Sequence, residues 1–554
     1  MKFDDILEDH LGAFGRYQKR KYFLLCLPGV FCAMQMLSPV FVLNIPNHRC
    51  ALPGVSNDTY AVQGPDHELL LNTSIPWTTE KGVSVRDSCL IYKDDVSGGQ
   101  NRTTQECNAW VYDNSVFKNT VITELNMVCN DKGLRSLANS ILMAGLLCGS
   151  LVLGIISDII GRKPTLMLSI LLHVGTGVGT AFAPNFVAFV ILRFLNGASN
   201  IGLFVSSFVI VMELVGPSKR TFAGMIIEFF WCLGLFIVGA LAYFIRDWHH
   251  LQLAISVPAV LLLGLYWLVP ESPRWLLSRG REEEAEAILR KAAEVNGVTL
   301  PQKLFDKDTL DDGPKSKITE MFTSPVLLVR TLIIFFNWLV ASMVFYGLGL
   351  NVGNLGGDIY LNFTIANIVE TVSYVMCLFL LDRVGRKFLH CGSMLVGGIA
   401  CIATIFPVLY GGKELEWVTI TLSMIGKFGA SAAFAIIYIF AAELFPTVVR
   451  NSGMGGSSFS ARIGGILSPY IADLGTIVGG DFGNALPLLV FGAVTVAAGI
   501  LALWLPETLN RKLPETIEDA KVFGKTGKNS YELDQTVERL PTEKEYDNPA
   551  FEKC

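Results

Sequence analysis

The stretch SSFSARIGGILSP, Ser457 to Pro469, places an arginine, Arg462, in a run of small and apolar residues. Two glutamates stand in similar surroundings, Glu370 in NIVETVSY and Glu228 in MIIEFFWCLGL. A guanidinium grips a carboxylate through two parallel hydrogen bonds, whereas a glutamate attracts an ammonium group. A site that holds both charges therefore suits a zwitterion such as carnitine or a betaine.

Composition indicates that these charges lie within a membrane. The chain has 554 residues, of which 51% are hydrophobic and only 17% charged, and its mean hydropathy is +0.46. A soluble domain is about one quarter charged. The net charge of −5 is small and the basic residues are scattered, so nothing indicates a nucleic-acid partner. Twelve cysteines occur without a CxxC pair or a Cys/His cluster, which argues against a metal site.

Apolar runs of about 19 to 26 residues, the length that a helix needs to cross a bilayer, recur along the chain. Backbone groups in lipid must be hydrogen-bonded within their own segment, so each run is predicted to be a transmembrane helix. The twelve predicted spans are residues 22–44, 137–157, 165–183, 187–212, 222–244, 251–269, 329–350, 359–381, 389–410, 417–440, 452–477 and 484–505.

Basic residues predict the orientation of these spans, because Lys and Arg concentrate on the cytoplasmic side. The N-terminal segment has several acids before its basic cluster and no cleavage signal, so we expect it to stay in the cytosol. Twelve spans return the C-terminus to the same side. The basic residues that share this side are Arg16, Lys19, Arg20, Lys21, Arg162, Lys163, Lys219, Arg220, Arg383, Arg386, Lys387 and Arg450.

The chain accordingly divides into a cytoplasmic N-terminus (1–21), an N-terminal six-helix bundle (22–270), a cytoplasmic linker (271–328), a C-terminal six-helix bundle (329–505) and a cytoplasmic tail (506–554). The linker segment REEEAEAILRKAAEVNG predicts a helix, either solvated on the surface or acting as a latch beneath the bundle. The polar tail is predicted to be disordered, and its YDNPAF motif is either an adaptor-binding signal or a chance match.

Residues 45–136 are predicted to form a large extracellular loop within the N-terminal bundle. In an oxidising compartment its cysteines imply disulfides and its sequons imply glycans. Four cysteines allow three pairings, and the sequence does not choose between them. A further sequon, at Asn362, begins predicted span 8 and is too close to the membrane for efficient modification. The loop contains Cys50, Cys89, Cys107, Cys129 and the sequons at Asn57, Asn72 and Asn101.

A repeated charge pattern divides the spans into two halves. DIIGRK recurs as DRVGRK, ELVGPSKR as ELFPTVVR, and PESPRW as the shorter PET. Parallel six-helix repeats are the plan of the major facilitator fold, in which the halves rock about a central site. We expect the repeated charges to cross-link spans while the cytoplasmic side is closed; the alternative is that they only set topology. They are Asp158, Arg162, Glu213, Arg220, Glu271, Asp382, Arg386, Glu443, Arg450 and Glu507.

An ordered set of motifs points to one family. CNAWVYDNSVFKNTVITELNMVC, DIIGRKP, VPESPRWLLS, LDRVGRK, AAELFPTVVRNSG and LPETIEDA resemble the organic ion transporters of solute carrier family 22, over essentially the whole chain. Single motifs are shared with sugar porters, whereas the loop signature together with the ordered set is specific. The resemblance implies uptake or exchange of small organic ions at the plasma membrane by alternating access.

Within that family the chain is most similar to the organic cation/carnitine branch. At the position of Arg462 the cation carriers have an aspartate, whereas the anion and carnitine-type branches have an arginine. AYFIRDW resembles the carnitine-type branch, and Glu370 matches a glutamate that cation and carnitine carriers place in span 8. Four aromatic residues match the family's cavity and either cage a quaternary ammonium by cation–π attraction or pack as ordinary core: Phe204, Trp231, Tyr346 and Tyr438.

Helical rise places Arg462 about 15 Å into span 11, with Glu370 equally central and Glu228 about 9 Å into span 5. An ionised group at the midplane costs at least about 2.5 kcal/mol unless it faces water or a partner. The alternative to a substrate site is a structural Arg462–Glu370 ion pair. Glu228 is either a second cation contact or proton site, or a member of the cytoplasmic ion-pair layer. His249 and His250 are interpreted as solvated loop residues.

The sequence therefore predicts an all-α membrane transporter of small organic cations or zwitterions in the plasma membrane. An organic anion exchanger that uses Arg462 is the alternative, and Glu370 counts against it; a non-transporting sensor is disfavoured by the duplicated charges. No Ser/His/Asp set, Walker loop or metal spacing is visible, so we expect no enzyme activity, no cofactor and no ATP dependence. Coupling to sodium or protons and the oligomeric state stay open; substrate and membrane lipid are the expected partners.

Overall fold

A computed structural model describes residues 3–80, 83–93, 103–305, 324–511, 513–514 and 516–524. The helices that coincide with the predicted spans are numbered α1 to α12. They are α1 Arg16–Leu37, α2 Gly133–Ile160, α3 Arg162–Thr180, α4 Phe186–Leu214, α5 Pro217–Phe244, α6 Trp248–Ser256, α7 Pro325–Asn351, α8 Ile359–Val384, α9 Arg386–Ala403, α10 Glu416–Leu444, α11 Arg450–Ala472 and α12 Gly480–Ala502.

Shorter helical elements lie between or beyond these helices. Helix α6 continues as a 3₁₀ segment, Val257–Gly264, and a last turn, Leu265–Leu268. The others include Phe3–Asp5, Ile6–His10, Pro39–Val42, Pro65–Ser74, Val121–Glu124, Pro273–Ser278, Glu282–Asn296, Ile405–Tyr410, Leu474–Val478 and Ile517–Val522.

Ten helical segments among the described residues are long and apolar enough to cross a membrane. Helices α3 and α11 fall outside this set. Helix α3 begins with Arg162 and Lys163, and α11 is rich in Gly and Ser and carries two arginines, so neither reaches the same hydropathy. The structure therefore shows about ten membrane-capable helices among the described residues. The count of twelve spans stays a prediction.

Local sequence explains where several helices begin. Asn185 caps α4 by accepting a hydrogen bond from Ala188 N, and Asp358 caps α8 by accepting one from Leu361 N. Pro217 occupies the first position of α5, where its missing N–H has no partner to lose. Short polar side chains thus satisfy the free N–H groups of the first turns.

Glycines in the repeated motif form the turns between α2 and α3 and between α8 and α9. Gly161 has φ of 109° and Gly385 has φ of 102°, a region that residues with a Cβ rarely adopt. A Cβ at Gly161 would lie 2.4 Å from Glu271 Oε2, and one at Gly385 would lie 2.6 Å from Glu507 Oε2. The motif therefore needs glycine for its backbone conformation and for the approach of a carboxylate.

The two halves pack their helices in matching ways. Helix α4 packs against α2 and α3 in the N-terminal half, and α10 packs against α8 and α9 in the C-terminal half. Helix α1 packs against α5, as α7 packs against α11. The halves meet where α2 contacts α11 and where α5 contacts α8. The segments that contain α1, α4, α7 and α10 are the most buried of the ten apolar helical segments.

The extracellular loop contains strands, so the all-α expectation is wrong for this segment. Three antiparallel pairs form: β1 His48–Cys50 with β6 Trp110–Tyr112, β2 Trp77–Glu80 with β3 Val83–Arg86, and β4 Leu90–Tyr92 with β5 Thr104–Glu106. Of the three pairings that the sequence allows, the structure has Cys50–Cys107 and Cys89–Cys129. Each two-stranded sheet is too small to be stable alone, and the disulfides fix them together.

A buried ion pair also holds this loop together. Arg49 donates to both oxygens of Asp58, and His67 Nε2 lies 3.0 Å from Asp58 Oδ1. Burial acts to raise the pKa of Asp58, but the bonds from Arg49 and Leu52 N outweigh it and lower the pKa. Among the sequon asparagines, Asn57 and Asn72 are exposed, and Asn101 lies outside the described residues. The Asn362 side chain is buried and donates to Gly356 O.

The cytoplasmic linker helix is not a fully solvated surface helix. Its face formed by Ala285, Leu289 and Ala292 is buried against the N-terminal segment, residues 3–14, whose Ile6 and Leu7 are fully buried. In the tail, residues 517–522 form a helix, which corrects the prediction of disorder for that part. The YDNPAF motif lies outside the described residues.

Candidate functional site

The two halves are joined at the extracellular ends of α2 and α11. Arg135 Nη1 lies 3.5 Å from Asp473 Oδ1, and Ser136 Oγ donates to Asp473 Oδ2 at 2.6 Å. Farther in, Ser140 Oγ donates to Ile466 O at 2.8 Å. These contacts bridge the halves on the side that the basic residues assign to the exterior.

Aromatic packing closes the same side between α1 and α8. The ring of Phe41 packs edge-on against Phe363 at 4.9 Å between centroids and stacks on Tyr360 at 5.7 Å. Phe41 and Phe363 are almost completely buried. Polar and aromatic contacts therefore both lie on the side that the basic residues assign to the exterior.

The repeated charges of the N-terminal half form one group on the cytoplasmic side, here called the N-terminal cluster: Asp158, Arg162, Glu213 and Glu271. Arg162 lies 2.8 Å from Asp158 Oδ1 and 3.7 Å from Glu213 Oε1. Glu271 accepts hydrogen bonds from the backbone N–H groups of Arg162 and Lys163, which begin α3. Burial raises the pKa of Glu271, although these N–H groups act in the opposite direction.

The C-terminal cluster, Asp382, Arg386, Glu443 and Glu507, repeats this geometry. Arg386 lies 3.0 Å from Asp382 Oδ1 and 3.1 Å from Glu443 Oε2. Glu507 accepts from the backbone N–H groups of Arg386 and Lys387 at 2.9 and 3.1 Å. Among the described residues, every ion pair of the two clusters lies within one half, so neither cluster joins the halves.

Arg220 and Arg450 make different contacts from those expected for members of the clusters. Arg220 Nη2 pairs with Asp4 Oδ1 at 2.7 Å, in the N-terminal segment. Arg450 donates to Phe445 O and to Thr447 Oγ1 and lies close enough to Glu443 for electrostatic attraction. The sequence pattern located both arginines at helix ends but did not predict their partners.

Glu370, on α8, is paired with a residue that the sequence analysis missed. Lys427 of α10 places Nζ 2.7 Å from Glu370 Oε2, and Tyr374 OH donates to Glu370 Oε1 at 3.2 Å. Lys427 Nζ also lies 4.1 Å from the centroid of the Phe345 ring. The alternative interpretation, a structural Arg462–Glu370 ion pair, is therefore not found among the described residues. A lone lysine in the apolar run SMIGKFGAS was the signal that could have identified this partner.

The Glu370–Lys427 pair is enclosed by protein. Glu370 is 0% exposed and Lys427 2%. Each lies about 17 Å from the first residue of its helix, near the middle of the helix. Removing one member of a buried pair leaves an uncompensated charge, which costs about 3 to 5 kcal/mol. The pair neutralises Glu370 and leaves it with no surface for a substrate ammonium.

Arg462, about 18 Å into α11, has a different environment. It is half-buried, its Nε is without a hydrogen-bond partner, and it is hydrogen-bonded to the side chain of Tyr346. It forms no ion pair with an acidic residue among those that the structure describes. A central guanidinium thus has accessible surface and no carboxylate of its own.

Glu228, on α5, belongs to this central region and not to the cytoplasmic clusters. The helix begins at Pro217, earlier than predicted, so Glu228 is about 17 Å inside it and not about 9 Å. It keeps part of its surface accessible and lies close enough to Glu370 for the two carboxylates to repel each other. No described basic residue forms an ion pair with it.

The four predicted aromatic residues fall into one group in each half. Phe204 and Trp231 meet edge-on at 6.4 Å between centroids in the N-terminal half. In the C-terminal half, Tyr346 and Tyr438 both pack against Phe434, at 6.3 and 5.5 Å. Tyr438 is 39% exposed, and the buried Nε1 of Trp231 has no partner. These side chains combine packing roles with surface that a ligand can contact.

The two histidines after RDW lie in a helix and not in a loop, whereas the prediction of a solvated side chain is confirmed for His250, which is 76% exposed. They lie in the first turn of α6, where Asp247 accepts from both of their backbone N–H groups. His249 Nε2 is 3.5 Å from Glu124 Oε2, and His250 Nδ1 is 3.0 Å from Asp247 Oδ1. They form part of the extracellular cap of α6 and lie outside the central region.

Two matching helical halves around central charges form the major facilitator fold. The fold agrees with solved structures of the xylose transporter XylE. One, titled the proton:xylose symporter bound to 6-bromo-6-deoxy-D-glucose, has a TM-score of 0.60, 18% identity and coverage of 90% of this chain and 98% of that one. A partially occluded inward-open form from E. coli has a TM-score of 0.59 and 16% identity and covers 90% and 100% of the two chains.

The chain belongs to the family described as "Sugar (and other) transporter", which matches residues 100–520. It is 42% identical to the organic cation transporter protein of Drosophila melanogaster over 95% of each chain. It is 34% identical to organic cation/carnitine transporter 2 of Homo sapiens over 94% of each chain, and 35% identical to human solute carrier family 22 member 13 over 92% of each. The predicted membership of solute carrier family 22 is confirmed, and the protein is a membrane transporter.

Proposed function

We propose that the protein carries small organic cations or zwitterions across the plasma membrane by alternating access. Its similarity to an organic cation transporter and to an organic cation/carnitine transporter supports this substrate class. The proposal includes twelve spans with both termini in the cytosol. It also includes glycans at the exposed Asn57 and Asn72, so glycosidase treatment should increase gel mobility. An unchanged mobility in a glycosylating cell would contradict this topology.

The proposal that the substrates include zwitterions rests on Arg462, whose guanidinium has no ion-pair partner among the described residues. Glu370 already has Lys427 as its counter-ion, so nothing among the described residues offsets Arg462 in the same way. A central charge without a partner is costly unless it faces water or a ligand. A substrate carboxylate, held by two parallel hydrogen bonds, supplies the missing partner.

Glu228 replaces Glu370 as the proposed contact for the substrate's ammonium group. It lies at a similar depth, keeps accessible surface and has no cationic partner among the described residues. The exposed ring of Tyr438 adds a cation–π surface worth about 0.5 to 2 kcal/mol. A dicarboxylate would meet the charge of Glu228, so an anion exchanger is not favoured.

Uptake of three matched substrates tests these assignments: carnitine, its methyl ester, which lacks the carboxylate charge, and tetraethylammonium. Arg462→Lys keeps the charge but loses the planar fork, so we expect carnitine uptake to fall about tenfold while uptake of the ester changes little. Glu228→Gln should lower uptake of all three, because each carries a cationic head.

Surface protein, measured by biotinylation, normalises each uptake, and parallel assays with and without sodium and at two pH values identify the coupling ion. Arg462→Ala is the decisive control. If it lowers carnitine and ester uptake equally, or changes neither, Arg462 is a structural residue and the zwitterion assignment is wrong.

A further inference from the structure

The N-terminal segment, residues 3–14, is bound to the cytoplasmic face of the N-terminal half. Phe3, Ile6, Leu7 and Leu11 are almost fully buried in a cluster that includes Trp275 of the linker. The contact area is apolar and continuous with the linker helix Glu282–Asn296. The segment therefore acts as a bound peptide that joins the linker to the transmembrane helices.

Two acidic residues attach this segment to the turn between α4 and α5. Asp4 pairs with Arg220, and Glu8 Oε1 accepts a 2.5 Å hydrogen bond from Ser218 Oγ. Glu8 Oε2 also accepts from Ser218 N at 3.4 Å, and Gly216 N donates to Ala13 O at 2.9 Å. These four contacts all involve the sequence GPSKR, Gly216 to Arg220. In addition, Arg274 lies 3.9 Å from Asp4, and Asn296 Nδ2 donates to Leu11 O at 3.1 Å.

Ser218 has the properties of a modification site. It is exposed, lies on the side assigned to the cytosol and is followed directly by Lys219 and Arg220. It is the second residue of α5, where the free N–H groups of the helix favour a negative charge. A phosphate on Ser218 would thus have two basic side chains and a helix N-terminus as partners.

We propose that Ser218 is a phosphorylation site that releases the N-terminal segment from the cytoplasmic face of the N-terminal half. A protein kinase that selects hydroxyls followed by basic residues transfers the γ-phosphoryl group of ATP to Ser218 Oγ. The Oγ proton is released to water and ADP leaves.

The change in charge explains the release. Phosphorylation removes the hydroxyl that donates to Glu8 and introduces a charge of about −1.5 to −2 at the same position. The phosphate repels Glu8 and competes with Asp4 for Arg220. Asp5 and Asp9 are further acids in the same segment, so the segment as a whole is repelled. The segment is then held only by its apolar contacts and by the weaker polar contacts with Arg274 and Asn296.

The accessibility of position 7 to a thiol reagent reports release of the N-terminal segment and does not depend on transport activity. Leu7 is 2% exposed, so a cysteine in Leu7→Cys reacts slowly with a membrane-impermeant maleimide in permeabilised cells while the segment is bound. Cys148→Ser removes the exposed free thiol among the described residues from the background, and Cys554→Ser removes the remaining cysteine, which lies outside them. We expect Ser218→Asp to increase the labelling rate about tenfold through repulsion of Glu8.

Ser218→Asn is the matched control, because asparagine is isosteric with aspartate but neutral and still donates to Glu8. It should label at close to the parental rate. Combining Ser218→Asp with Glu8→Lys should return the rate towards the parental value, since the new pair is attractive. Equal labelling of the Asp and Asn variants would overturn the repulsion mechanism.

Incubation of the full-length protein with ATP and a basophilic kinase, followed by mass spectrometry, tests the modification itself. Phosphate on Ser218, absent from Ser218→Ala, together with faster labelling at position 7, supports the proposal. Absence of phosphate at Ser218 under conditions that phosphorylate a control peptide GPSKRT overturns it. Neither result depends on the substrate assigned above.

Discussion

The N-terminal and C-terminal clusters are built from the same motif and share one part of their geometry but not another. In both, a glutamate accepts the first two backbone N–H groups of a helix, at distances between 2.9 and 3.2 Å. The side-chain contacts differ. Arg386 lies 3.1 Å from Glu443, whereas Arg162 lies 3.7 Å from Glu213.

The second carboxylate of each cluster shows the difference most clearly. Glu443 Oε2 accepts a hydrogen bond from Thr508 Oγ1, whereas the corresponding Glu213 Oε2 is buried without a partner. The residue that matches Thr508 in the repeat is Ser272, and its hydroxyl instead caps the helix Pro273–Ser278 by accepting from Trp275 N. The C-terminal cluster is therefore the more completely bonded of the two.

The motif specifies the backbone geometry of each cluster, and the neighbouring elements supply the side-chain partners. The glycine turn and the glutamate at the helix start are backbone features, so they recur. The side-chain partners depend on neighbouring elements, and the N-terminal half obtains its additional contacts from Asp4 and Glu8 in the N-terminal segment.

The largest effect is expected at the two glycines, and it should be equal in both halves. Gly161→Ala and Gly385→Ala each force a Cβ into positive φ and into contact with a glutamate carboxylate. Strained backbone of this kind costs about 1 to 3 kcal/mol, and the displaced carboxylate adds to it. Thermal unfolding of the detergent-solubilised protein measures the loss of stability. A tolerated alanine in one half would show that the shared backbone geometry is not equally required.

An intermediate and unequal effect is expected for the arginines. Arg386→Ala should destabilise the protein by about 2 kcal/mol and Arg162→Ala by about 1 kcal/mol, because hydrogen bonds to charged groups are worth about 1.5 to 3 kcal/mol and Arg162 has the longer contact to its glutamate. The same thermal unfolding assay, with Arg281→Ala at the exposed residue before the linker helix as a control, checks the order. A larger loss for Arg162→Ala would reverse the comparison.

The sequence predicted the parts of this architecture that are local. DIIGRK and DRVGRK located both glycine turns and both arginines, because the motif itself specifies the backbone. The sequence did not predict the partner of Glu370, because Lys427 is on another helix and no periodicity within α8 indicates it. Likewise the partner of Arg220 is 216 positions away, in Asp4. Contacts between elements depend on packing, which a single sequence does not encode in any short window.

The smallest effect, and the sharpest test of the comparison, concerns Thr508. Thr508→Val removes the hydroxyl that donates to Glu443 with little change in shape, and we expect a loss of about 1 kcal/mol. Combined with Glu443→Gln in a double-mutant cycle, it should show a coupling free energy of about 1 kcal/mol, since the two side chains are in contact.

The matching cycle, Ser272→Ala with Glu213→Gln, should show almost none, because Ser272 caps a helix and does not contact Glu213. The single variant Ser272→Ala should lose about 1 kcal/mol of stability, because it removes only the helix cap. Equal coupling in the two cycles would mean that Ser272 also bonds to Glu213 in solution, and that the two clusters are equivalent after all.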